Sequence, residues 1–237
     1  VIGGAGYDSK AVECFLKGAE NGFPRAQFLL GEAYSRGLWV EQSDEEAARW
    51  YQSAAWLGYP AAQTELGRCL EFGTGLPQSI EQAVKWYRAA AENGNAPGQC
   101  CLGFLYESGQ GVEQNWEEAV RWYRKSAEQG YARGQFCLGY MYDEGKGVAQ
   151  DKREAEQWYR KAAEQNYASA QFNLALMYAH GDGIKQDKAE AVEWYRRAAE
   201  QGHAGAQLNL GIMYKIGEGV PEDLAEAAKW LQKAADQ

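Results

Sequence analysis

The chain is 237 residues long and acidic, with 33 Asp and Glu against 24 Lys and Arg for a net charge of −9. That balance argues against a nucleic-acid partner, which would require a clustered basic face. No apolar run approaches the roughly 18 residues that a membrane span needs.

In chain order, Val1 to Gly6 form a Gly-rich stub without an initiating Met, and residues 8–24 read as the second helix of an incomplete repeat. No signal peptide is visible here. The opening reads as a processed or trimmed product, with an upstream signal or further repeats lying outside it. From residue 25 onward one unit recurs every 36 residues. Its register carries Gln27, Gln63, Gln99, Gln135, Gln171 and Gln207. The same spacing carries Leu30, Leu66, Leu102, Leu138, Leu174 and Leu210, and then Trp50, Trp86, Trp122, Trp158, Trp194 and Trp230. A strict period of this size identifies a stack of supersecondary units. The expectation is one all-α solenoid domain over residues 1–237, with units 25–60, 61–96, 97–132, 133–168, 169–204 and 205–237 after the partial unit 8–24. No linker or low-complexity tract interrupts it.

Residues 133–168 show how one unit works. Phe136, Leu138, Met141 and Tyr142 lie at helical spacing and stop at Gly145, a C-terminal helix glycine. This first helix is helix A. Val148 in the following loop is expected to plug the gap between the two helices. Asp151 with Glu154 then forms a capping box, and its equivalents start helix B in every unit: Ser43, Ser79, Asn115, Asp187 and Asp223, followed by Glu46, Gln82, Glu118, Glu190 and Glu226. Each cap contributes ~0.5–2 kcal/mol. Helix B ends near Asn166, where other units have Gly58, Gly94, Gly130 and Gly202. Its alanines allow close approach, and Gly31, Gly67, Gly103, Gly139, Ala175 and Gly211 do the matching job on helix A. The Trp column therefore reads as core and not as a cofactor box.

Residues 138–168 (LGYMYDEGKGVAQDKREAEQWYRKAAEQNYA) resemble the Sel-1-like repeat, a relative of the tetratricopeptide repeat, and residues 25–237 match that pattern six times. The resemblance implies a right-handed α/α solenoid of helix-hairpin repeats with a concave face lined by A helices. It also implies an adaptor or scaffold that binds proteins, of a kind found in bacterial signalling, envelope or host-interaction settings. A cysteine-rich branch of the family, associated with β-lactam or cell-wall binding, joins helix B to the next helix A by a disulfide. The corresponding pairs here are Ala127 with Gln135 and Ala163 with Gln171. The chain departs from that branch, and the Gln amide is expected to bridge the units by hydrogen bonds instead.

Chemistry should break the repeat, since six copies of one site are unnecessary. Only two histidines occur. His180 reads as a C-terminal helix cation beside Asp182, and His203 as a loop packing residue. The cysteines Cys14, Cys69, Cys100, Cys101 and Cys137 form no even framework and read as small buried hydrophobes of a reducing compartment. No Cys/His spacing suits zinc. The Gly-x-Gly loops lack the strand and third glycine of a dinucleotide site. Acidic pairs such as Asp143 and Glu144 read as helix surface without an apolar pocket. No enzyme, metal or cofactor is expected.

Binding should sit where the columns vary. One helix-A column runs Leu29, Glu65, Cys101, Cys137, Asn173, Asn209; a second runs Glu32, Arg68, Phe104, Tyr140, Leu176, Ile212; a third runs Arg36, Phe72, Ser108, Glu144, His180, Ile216. Their mixture of polar and aromatic residues suits a peptide or protein groove, with Phe104 and Tyr140 as anchors. Partial burial against neighbouring A helices is the alternative. Candidate contacts are thus Arg68, Phe104, Tyr140, Asn173, Leu176, Asn209 and Ile212. Near the start, Trp56 and Leu57 replace a Glu and a Gln or Asn, and Trp39 replaces a loop glycine. These three read either as a contact patch or as packing for an absent N-terminal segment. The leading reading is a non-catalytic protein-binding module, monomeric or weakly oligomeric, with a protein or peptide partner. Alternatives are an exported bacterial protein neutralising a toxin or engaging host components, and, disfavoured, a cell-wall-fragment or β-lactam binder. Unpaired cysteines lean toward the cytoplasm; a removed signal would place the chain in the periplasm or outside the cell.

Overall fold

The computed structural model describes residues 5–237, with side chains from Glu13 onward. The expected Gly-rich stub lies outside the described residues as far as Gly4, and helix already begins at Ala5. Thirteen helices follow among the described residues: α1 (Ala5–Glu20), α2 (Pro24–Arg36), α3 (Asp44–Trp56), α4 (Pro60–Phe72), α5 (Ile80–Glu92), α6 (Ala96–Ser108), α7 (Trp116–Glu128), α8 (Ala132–Glu144), α9 (Lys152–Glu164), α10 (Ala168–His180), α11 (Lys188–Glu200), α12 (Ala204–Ile216) and α13 (Leu224–Ala235). The even-numbered helices are the A helices and the odd-numbered ones the B helices, so the all-α helical repeat holds. No helix among the described residues is long and apolar enough to cross a membrane. The chain divides into two compact units, Val1–Trp122 and Tyr123–Gln237, with the boundary inside α7.

In the first unit the buried core runs through Ala47, Tyr51, Leu66, Leu70, Tyr87, Leu102 and Leu105. In the second it runs through Ala155, Tyr159, Leu174, Met177, Tyr195 and Leu210. Within each unit every A helix packs on its B partner, and that partner packs on the next A helix. The small column on helix A explains the close fit. A Cβ at Gly67 would stand 2.7 Å from the ring of Tyr87. The tyrosine column therefore lies deep in the core, with Tyr87 and Tyr159 fully buried. The tryptophans are shallower than expected. Trp122, Trp194 and Trp230 are buried, whereas Trp50, Trp86 and Trp158 are only half-buried. Some of the rings carry a cation: Lys161 Nζ lies 3.8 Å above the Trp158 ring and Lys233 Nζ 4.2 Å above that of Trp230. A ring covered by a cation on one side gains without complete burial.

Helix B starts where the caps require. Ser43 and Asp187 accept from the backbone N–H of Glu46 and Glu190, and Asp151 and Asp223 accept from two amides each. The capping box is nevertheless only half formed. The N-cap N–H of Ser79, Asp151 and Asp187 donates to the helix-A carbonyls of Leu70, Tyr142 and Tyr178 at 2.8, 3.0 and 2.9 Å. The third-position carboxylate is thereby released. Glu190 and Glu226 accept the indole N–H of Trp194 and Trp230, at 2.9 and 3.1 Å. One residue before the cap, Gln78, Gln114, Gln150 and Gln186 donate to last-turn carbonyls of helix A at 2.7–2.8 Å. They satisfy acceptors that every helix end leaves open. The apolar loop residues Leu76, Val112, Ile184 and Val220 pack on the cores of their units.

The Gln column forms the inter-repeat bridge that its position suggests. Gln63, Gln171 and Gln207 donate through Nε2 to Ala55, Ala163 and Ala199 of the preceding B helix, at 3.4, 3.0 and 3.1 Å. A second amide, just after helix B of the same unit, completes the ladder: Asn93, Gln165, Gln201 and Gln237 donate to the Oε1 of Gln63, Gln135, Gln171 and Gln207. Leu57 occupies that donor column beside Gln27, and Gln27 Oε1 is left buried without a hydrogen bond.

His203 has a more specific role than loop packing. Its Nδ1 accepts from the Ala206 N–H at 3.2 Å as the N-cap of α12, and its ring stacks on Phe172 at 4.5 Å. Burial holds its pKa below the ordinary value of 6.5, and protonation would remove the accepting lone pair. Between the folded and unfolded pKa values the folded chain binds fewer protons, so stability is full above about pH 6.5 and is lost as pH falls through the folded value. His203→Asn keeps an accepting cap, as Asn95 does for α6. Its melting midpoint is expected to fall less than that of the parent chain between about pH 7 and pH 5. Parallel pH profiles for the two proteins would contradict this role.

Candidate functional site

In the first unit, α4 and α6 touch and carry Arg68 and Phe104. Arg68 is exposed and stands 3.7 Å from Glu65, a loose surface pair of little energetic weight. Phe104 is an exposed aromatic of helix A, 37% accessible. Burial raises the Glu65 carboxyl above its usual value. Trp39 and the Trp56–Leu57 pair do not form one patch. Trp39 precedes α3 and Trp56 ends it, so about 20 Å of helix separates them. Trp56 is 72% exposed and meets Trp86 edge to face at 5.1 Å. Trp39 takes a left-handed conformation, φ 64°, at a position where other loops have glycine.

In the second unit the remaining candidates come together on three successive A helices. Tyr140 of α8 and Asn173 and Leu176 of α10 line a depression of about 500 Å³. Asn209 and Ile212 of α12 line a second one of about 290 Å³, and His180 borders both. The two depressions are one construction displaced by a single repeat. Lys152, Asn173, Leu176 and Met177 in the first correspond to Lys188, Asn209, Ile212 and Met213 in the second. The 36-residue register alone requires this, because equivalent residues of successive repeats meet equivalent neighbours.

The polar groups of these depressions were mostly invisible in the residue columns. Lys152 starts α9 and lies between Asp143 at 2.6 Å and Asp182 at 2.9 Å. Burial alone would lower its pKa, but hydrogen bonds to the two carboxylates outweigh it and raise the value. Asp143 is not the open helix surface it resembles: its side chain is 18% exposed and accepts from Tyr159 OH at 3.2 Å. Burial first, and then Asp143, pushes the Tyr159 phenol well above its ordinary value, so it remains a donor. Lys188 pairs with Glu218 at 2.5 Å, and Asn209 Nδ2 donates to Tyr195 OH at 3.1 Å. Tyr140 is half-buried, with Lys146 donating to its hydroxyl at 2.7 Å and standing 4.6 Å over its ring. It is therefore a fixed wall, while Ile212 at 42% accessibility and half-buried Leu176 are the open apolar surface.

Comparison with protein families matches the Sel1 repeat to residues 8–23, 24–59, 60–95, 96–131, 132–167, 168–203 and 204–237. No curated protein is found to match in sequence. Among solved structures, the chain is 38% identical to a protective antigen of uropathogenic Escherichia coli displaying an SLR fold, with a TM-score of 0.85 over 95% of this chain and 48% of that one. It thus spans about half the length of that relative. A Sel1 repeat protein from Oxalobacter formigenes is 39% identical, with a TM-score of 0.81 over 89% of this chain and 84% of that one. An immunity protein from Pseudomonas aeruginosa, 17% identical with a TM-score of 0.59 over 90% of this chain and 81% of that one, shares the fold alone.

Proposed function

This chain belongs to the Sel1 repeat family, and we propose that it is a non-catalytic module that binds a protein or peptide on the helix-A face of its second unit. Members of the family are generally scaffolds for protein–protein contact. The observation that carries the reading is the pair of adjoining depressions around Leu176 and Ile212, where apolar side chains stay accessible among fixed polar groups. The core-facing leucines of the same helices, Leu138, Leu174 and Leu210, are fully buried, whereas Leu176 and Ile212 keep accessible surface. A partner covering it gains apolar contact at its centre and hydrogen bonds at its rim.

The test uses ligands selected from an unbiased displayed peptide library. Ile212→Glu places a charge in the middle of the face at an exposed position. Affinity is expected to fall by about tenfold or more while helicity and melting midpoint stay unchanged. Full affinity in that variant would remove the face from consideration. Phe104→Ala reads the helix-A surface of the first unit separately.

A further inference from the structure

A third cavity, of about 530 Å³, opens where α9 meets the loop after α10, and it shares no lining residue with the two depressions. Three of its walls break the repeat. Where Arg153 stands, the other units have Glu45, Glu81, Glu117, Ala189 and Ala225. Where Lys185 stands, they have Glu41, Pro77, Glu113, Ala149 and Pro221. Two cations thus line one cavity at positions that are acidic or neutral in every other unit of an acidic chain. Both are exposed, and neither makes an ion pair among the described residues.

Glu156 is the third departure, in a column otherwise made of Ala48, Val84, Val120, Val192 and Ala228. Val84 and Val192 are buried. Val84 rises under its loop glycine, where a Cβ on Gly111 would stand 3.0 Å from its Cγ2. Glu156 turns instead to Arg160, whose Nε and Nη2 donate to its Oε1 at 2.7 and 2.5 Å. The volume that a valine fills elsewhere is left to the cavity. Glu156 Oε2 makes no hydrogen bond among the described residues, so the wall offers one free acceptor beside two free cations. A carboxylate in an apolar column forgoes packing, a local cost of the kind that functional sites carry.

The ligand must answer both signs. An oxyanion suits the two cations, since Arg pairs a carboxylate bidentately. The free Glu156 oxygen calls for a donor close to that anion. A fully ionised phosphate ester brings no donor and is repelled by Glu156. The C-terminal residue of a peptide carries a carboxylate and a backbone N–H on the same Cα. We propose that this cavity captures the C-terminus of a peptide chain, with Arg153 and Lys185 on the carboxylate and Glu156 accepting the terminal N–H. Its volume is that of an ordinary ligand pocket, and Ile184 supplies an apolar wall for the terminal side chain.

The test is an array of hexapeptides of varied sequence, each made once with a free C-terminus and once as the C-terminal amide. The best free-acid members are expected to bind about tenfold or more tightly than their amides, with added salt weakening them. Arg153→Gln and Lys185→Gln, both at exposed positions, should each remove most of that preference. Glu156→Val restores the arrangement of the first unit, where Val84 accompanies an Arg88 that donates to Tyr106 OH at 2.9 Å. It is expected to abolish free-acid binding while raising the melting midpoint by about 2 °C or more. A lower midpoint with free-acid binding unchanged would make the Glu156–Arg160 pair purely structural. Equal binding of acids and amides, no binding at all, or free leucine competing as well as the peptides overturns the inference. Ile212→Glu lies outside this cavity and should leave free-acid binding intact, so the helix-A face and this site stand or fall separately.

Discussion

Gly75→Ala should destabilise the first unit by about 2–5 kcal/mol, measured by denaturant unfolding. Two costs combine at this position. Its φ of +70° lies in the left-handed region, which costs an alanine about 1–2 kcal/mol. The added Cβ would also stand 2.1 Å from the backbone oxygen of Asp44 and 2.4 Å from its carbonyl carbon. No side-chain rotation relieves contact with a helix backbone, so the loop after α4 must lift off the start of α3. In a repeat array that contact is part of the interface between successive units, and losing it weakens their coupling. Gly94→Ala is the control, because its φ of +80° carries the conformational cost with no heavy atom within 4 Å. Equal losses in the two variants would show that the close approach contributes nothing.

The same column shows what residue patterns convey and what they leave out. Six copies of a cap, a glycine or an amide announce a backbone requirement, because each copy meets the same neighbours. The N-caps, the left-handed helix ends and the Gln bridge could therefore be read directly from spacing. The fate of the third-position glutamates could not. Their expected target, the N-cap N–H, is taken by a helix-A carbonyl once the hairpin closes, and only the packed pair of helices reveals this. Tyr140 looks like a free anchor in its column, yet Lys146, six residues on, donates to its hydroxyl. Asp143 looks like solvated surface until α9 brings Tyr159 and Lys152 against it. The Trp column reads as core from its regularity, but Trp50, Trp86 and Trp158 are only half-buried, and Lys161 stands over the Trp158 ring. Columns report backbone demands well. They report poorly which polar atom finds which partner, and a binding face consists of those pairings.

Gln171→Ala is expected to cost about 2–4 kcal/mol, because it deletes a fully buried side chain that joins two repeats. Its amide donates to Ala163 O at 3.0 Å and accepts from Gln201 Nε2 at 2.7 Å. Truncation leaves the Ala163 carbonyl buried with one bond fewer and opens a cavity beside it. Gln171→Met restores volume without the bonds, and recovery of less than half the loss would assign most of it to hydrogen bonding. Gln27 supplies the natural contrast. It donates to Ala19 O at 3.1 Å, but its Oε1 has no partner because Leu57 stands where the other units place a donor. Gln27→Ala should therefore cost less than Gln171→Ala. Leu57→Gln should stabilise the chain by about 0.5–1.5 kcal/mol and raise the cost of Gln27→Ala by a similar amount, which a double-mutant cycle measures. A cycle with no coupling, or equal costs at Gln27 and Gln171, would reduce the ladder to packing. A positive coupling would mean that the first repeat gives up stability at Leu57, where an exposed apolar side chain stands in place of an amide the stack could use.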